Sequence, residues 1–133
     1  MFMGFPRELR ERLFAETFYW AALTSIDDPA HVRALDLSRS LAPHQIVTTD
    51  EVLGEYLTFF AGARPSIREQ VSRNVSELIE SLEVRVVPQS RRSFLDGLQV
   101  YGDRPDKGYS LADCISMQTM RREGITEALT AEH

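Results

Sequence analysis

Four acidic residues stand where a fold could gather them for metal chemistry. Glu16 closes the first compact apolar run, Glu55 lies inside the helix after the second strand, Asp113 falls in the first turn of the strongest helical pattern, and Glu132 follows the last short strand. If the intervening strands are parallel neighbours in one sheet, these positions project toward one rim, where carboxylates repel one another unless a cation or a proton intervenes. An oxygen-only ligand set with no adjacent His or Cys selects Mg²⁺ or Mn²⁺ over zinc. Such an ion activates water and stabilises charge on attacking and leaving oxygens, so the chemistry on offer is phosphodiester hydrolysis without a side-chain nucleophile. The sequence has no G-x-S-x-G elbow, P-loop or G-x-G-x-x-G fingerprint to suggest another reaction.

Each acid also has a plainer reading. Ser110 to Asp113 has the S-x-x-[DE] spacing of a capping box, Glu55 reads equally as a solvated helix-face acid, and Glu132 sits near the chain end. Glu16, flanked by Leu13, Phe14, Phe18 and Trp20, is costly at a buried strand end without a partner. Other reactive side chains read as structural. Cys114 among Leu111, Ile115 and Met117 has the surroundings of a small core residue. The triplet Phe18, Tyr19, Trp20 reads as core and dimer surface rather than a base-stacking platform. His31, His44 and His133 lack metal-ligand spacing, and the arginine pairs read as solvated charge.

Positioning these acids requires strands that alternate with helices. The pattern predicts strands at Arg12 to Glu16, Gln45 to Thr48, Val84 to Val87 and Ile125 to Thr130. Between them it predicts a short helix from Thr17, a second opened by Asp27, Asp28 and Pro29 and running to about Leu41, and a third with Val52, Leu53, Tyr56, Leu57 and Phe60 on one stripe. A fourth spans Ser66 to Ser81, a fifth Ser90 to Tyr101 is marked by Phe94, Leu95, Leu98 and Tyr101, and a sixth runs from Ser110 to Glu123, stopped by Gly124. This alternation implies an α/β fold, a three-layer α/β/α arrangement around a central parallel sheet of about four to five strands, with ligands beyond the strands' carboxyl ends.

The composition sets the outer bounds. The chain of 133 residues carries 15 Lys plus Arg against 20 Asp plus Glu, a net charge of −5, which offers no general basic field for nucleic acid. Length and the absence of linkers predict a single domain over residues 1–133, with residues 1–12 as an amino-terminal extension. One cysteine, no run long enough to span a bilayer and no secretory signal predict a cytoplasmic protein without membrane association.

The strings FAETFYWAAL, TTDEVLGE, GYSLADCISM and EALTAEH, in this order, resemble the PIN domain family of VapC-like toxins and related ribonucleases, over nearly the whole chain from Leu13 onward. The resemblance places the family's four acids on Glu16, Glu55, Asp113 and Glu132 as catalytic and metal-binding residues, with Thr17, Thr49 and Ser110 in supporting positions. It implies a PIN-like, Mg²⁺- or Mn²⁺-dependent ribonuclease, a hydrolase acting on RNA and, in many members, the toxin of a toxin-antitoxin pair. An antitoxin protein and a homodimer are the implied partners. Two departures accompany it: Glu16 stands where the family has Asp, carrying its carboxylate one methylene further, and the sequence ends at His133, short of the usual family end. The alternative of another class is a catalytically weakened PIN-like interaction or dimerisation module. A phosphoacceptor receiver domain fits poorly, because Asp27 and Asp28 open a helix and Lys107 is the only lysine.

Overall fold

The computed structural model describes residues 12–40 and 45–130. Ten elements follow one another: β1 (Arg12–Ala15), α1 (Thr17–Thr24), α2 (His31–Ser40), β2 (Gln45–Thr49), α3 (Asp50–Phe59), α4 (Pro65–Glu80), β3 (Val84–Val87), α5 (Arg91–Asp103), α6 (Leu111–Glu123) and β4 (Ala128–Leu129). Among the described residues the sheet has four strands in the order β3-β2-β1-β4, every neighbouring pair parallel. The α/β expectation holds, with six helices flanking a parallel sheet.

The central strands β1 and β2 are those of a sheet covered on both faces, where alternation gives way to continuous burial. Phe14, Ala15 and Val47 are fully buried, and Tyr19, Trp20, Val52, Leu53, Tyr56 and Val71 pack around them. The chain leaves β1 toward β2 on one side, while β4 returns on the other, so the connections diverge at the carboxyl end of β1. Crevices at such divergence points are where open α/β sheets bind ligands. Glu16 is the first residue beyond that end, and its N–H donates to the carbonyl of Leu129 in β4 at 3.1 Å.

Several local expectations are corrected. The second helix starts at His31 rather than at Asp27: Asp28 accepts from the Ala30 N–H at 2.8 Å, and the 25–30 segment is spent on turns before α2 begins. The last strand shortens to two residues. β1 begins at Arg12, where the strand is predicted to start; residues 1–11 lie outside the described residues, as do Pro43 and His44.

The fifth helix forms where its apolar positions predict, but they are not the face that packs. Phe94, Leu95, Leu98 and Tyr101 all stay exposed, at 40 to 53% of their surface. The buried side of the helix is instead Ser93 and Gly97. A Cβ on Gly97 would stand 2.4 Å from Cγ1 of Ile115, so the missing side chain is what lets α5 approach α6 closely. Small residues decide which face packs, and the large apolar stripe is turned outward.

No helix among the described residues is long and apolar enough to cross a membrane.

Candidate active site

Glu16, Glu55 and Asp113 line one cavity of about 710 Å³. They come from three distant stretches of chain, and the way each is delivered follows from local structure. Glu16 is the N-cap residue of α1 with extended backbone, φ −94° and ψ 169°, and its side chain makes no capping bond to that helix. Glutamate is too long for the cap geometry that Asp, Asn and Ser satisfy. The backbone beneath it is fixed from below: the carbonyl of Ala15 accepts from the buried hydroxyl of Thr48 at 2.9 Å, and that hydroxyl accepts in turn from the Trp20 indole N–H at 3.4 Å.

Glu55 is brought in by α3. Thr49 caps this helix, its hydroxyl accepting from the Val52 N–H at 3.1 Å, and Thr49 itself is buried. Its supporting role is therefore to start the helix, not to line the cavity. Thr17 does line it, and its hydroxyl donates to Oε1 of Glu55 at 3.1 Å, joining the start of α1 to the middle of α3.

Asp113 occupies the first turn of α6 and satisfies both of its readings. The Ser110 hydroxyl accepts from the Asp113 N–H at 3.0 Å, while Oδ2 of Asp113 accepts from the Ser110 N–H at 2.9 Å, a reciprocal capping box. The same carboxylate is exposed on the cavity wall. Glu132 lies outside the described residues.

The amino ends of α1 and α6 both open on this cavity, and their partial positive charge offsets part of the repulsion among the acids. Among the described residues, no three of His, Cys, Asp and Glu stand close enough to form a ready-made metal cluster. The donor chemistry is nonetheless that of a hard cation: carboxylate and hydroxyl oxygens, with no His or Cys among the described residues of the wall. Mg²⁺ is commonly held by one or two carboxylates, with water and substrate phosphate completing its shell, so a preformed protein cage is not required.

Cys114, next to Asp113, is fully buried; burial, with Asp113 adding to it, pushes its thiol above the ordinary range, which leaves it a core residue. Tyr19 and Trp20 are core as expected. Phe18 is not: it is 44% exposed and stands on the cavity wall with Phe59, Thr58, Tyr109 and Met117. The sequence signal for Phe59 was its place four residues after Glu55, the same helical face. Tyr109 and Met117 carried no comparable signal.

No family model matches the sequence, and neither does any curated protein. The crystal structure of Mycobacterium tuberculosis VapC20, described as a sarcin-ricin loop cleaving toxin, superposes with a TM-score of 0.79 at 26% identity, over 89% of this chain and 88% of that one. The chain has a VapC-like PIN fold. In this PIN domain the resemblance carried by the four strings and the likeness of the whole fold point the same way, and the cavity lies at the sheet end where the strings put the acids.

Proposed function

We propose that this PIN domain is a divalent-metal-dependent endoribonuclease that hydrolyses RNA phosphodiester bonds, acting as the toxin of a toxin-antitoxin pair in a cytoplasmic setting. The observation that carries the proposal is the meeting of Glu16, Glu55 and Asp113 on one cavity wall from three separate segments. The likeness to a toxin described as cleaving the sarcin-ricin loop supports RNA as the substrate class.

Glu16, Glu55 and Asp113 are the residues that would hold Mg²⁺ or Mn²⁺, with Glu132 as a fourth. The ion, when bound, supplies water activation and charge neutralisation at the phosphate. The chain's own part is positional. Thr17 fixes one oxygen of Glu55, Ser110 fixes one oxygen of Asp113, and the Thr48 hydroxyl anchors the backbone that carries Glu16. Held this way, the acids are presented with little freedom left to lose on binding a cation and a phosphate.

The test is cleavage of structured and unstructured RNA by purified protein with Mn²⁺, with Mg²⁺ and with chelator, beside Asp113→Asn. Metal-dependent cleavage lost in the variant is the expected result. Equal activity in both proteins would trace it to a contaminant and remove the assignment.

A second reading, an interaction or dimerisation module, is favoured by two observations: the acids do not form a ready-made cluster, and Phe94, Leu98 and Tyr101 present an apolar face on α5. An antitoxin or a second copy of the chain would cover such a face. Calorimetry with Mn²⁺ separates the readings, since an interaction module has no need to bind metal at the acidic wall.

A further inference from the structure

Aromatic rings crowd one side of the acidic cavity. Phe18 and Phe59 meet edge to face with centroids 6.1 Å apart, and they are 44% and 53% exposed. Their sequence positions place them beside the acids: Phe18 is two residues past Glu16, and Phe59 is one helical turn past Glu55. Tyr109, in the loop before α6, lines the same cavity and is half-buried.

These rings are held from behind. Phe59 packs on Phe60 at 5.1 Å, and Phe60 packs on Tyr56 at 5.8 Å. Phe60 and Tyr56 are core residues. A row of rings thus runs from the core to the cavity rim, so the exposed pair is a fixed surface.

The charge of the wall gives the rings a task. Among the described residues three acids line it and no Lys, Arg or His does. A polyanion approaching this wall gains nothing from salt links to it, and the net charge of −5 adds no general attraction. Attraction at this place must come through bound cations or through the bases. Bases stack on aromatic side chains with little regard to sequence, and a base is available for this only when unpaired.

We propose that Phe18, Phe59 and Tyr109 form a stacking subsite that receives an unpaired base of single-stranded RNA beside the phosphate to be cut. The proposal rests on the ribonuclease reading above and adds to it the side chains that receive the base; a duplex, whose bases are not available to the rings, serves as the control.

The experiment uses the full chain with Mg²⁺ and a short single-stranded RNA containing 2-aminopurine, read by stopped-flow fluorescence in the first seconds after mixing. Wild-type protein should quench the probe, and Phe18→Ala and Phe59→Ala should each bind roughly 5- to 100-fold more weakly, the range for loss of one base-stacking ring. Phe59→Trp should restore binding, which a merely structural role would not predict. A duplex of the same sequence should not compete. Thermal midpoints measured alongside should stay near wild type, both rings being half exposed. Unquenched probe, wild-type binding by both alanine variants, or equal competition by duplex would each overturn the subsite. RNA cleavage that is indifferent to both rings would sink the stacking proposal and leave the ribonuclease standing. Ring-dependent binding without cleavage in any metal would do the reverse.

Discussion

At Asp113 the capping and the proposed catalytic role share one carboxylate, and they can be separated. Asparagine keeps an acceptor for the Ser110 N–H but removes the charge, whereas alanine removes both. Asp113→Asn should therefore abolish RNA cleavage with stability nearly unchanged, while Asp113→Ala should also lose about 1 kcal/mol, the usual worth of a cap, in urea unfolding. Thr17→Val deletes the bond to Glu55 and keeps the shape of the side chain. It should cost about 1 kcal/mol and lower turnover more than substrate affinity, as expected when an acid is left loosely placed. Kinetics on the purified variant check this; wild-type turnover would show that Glu55 needs no such support. At this scale the sequence singled out the three acids that share the cavity, because each follows a strand or lies in the first turns of a helix within one of the four strings. Thr48 was not, since nothing in a β-branched strand residue announces that its hydroxyl will hold the backbone carbonyl before Glu16.

Helix starts and helix packing tell different stories about how far a sequence can be read. α6 is legible from both ends, with Ser110 and Asp113 forming the capping box and Gly124 in the left-handed conformation, φ 68°, at its close. α5 is not, because its apolar stripe is the stronger periodic signal and the buried face is made of Ser93 and Gly97. The close approach of Ile115, which no local pattern encodes, decides the outcome. Gly97→Ala would ordinarily gain up to about 1 kcal/mol of helix propensity. Here the added methyl meets the β-branched side chain of Ile115, so the expected result is a net loss of about 1 to 3 kcal/mol, read as a lower urea midpoint. A stabilised variant would mean that α5 and α6 have room to part.

Over the whole molecule, the parallel sheet order β3-β2-β1-β4 brings three separate stretches of sequence to one cavity rim. Strand and helix alternation made the α/β class readable, while the start of α2 was set by turns that compete with regular structure. The buried thiol of Cys114 reports on the integrity of this assembly. With its pKa raised by burial, it contributes stability at neutral pH that is lost as pH rises through and above the ordinary thiol range, and at neutral pH it should resist alkylation until urea unfolds the chain. Rapid labelling of native protein would contradict the packing described for α6. The central claim, however, is that acids brought together by this topology jointly bind a divalent cation. Its most direct measurement is a Mn²⁺ titration by calorimetry of wild type beside Glu16→Gln, Glu55→Gln and Asp113→Asn: saturable binding that weakens at least tenfold, about 1.4 kcal/mol, in every variant is the predicted result. No binding by wild type, or binding indifferent to all three substitutions, would contradict it.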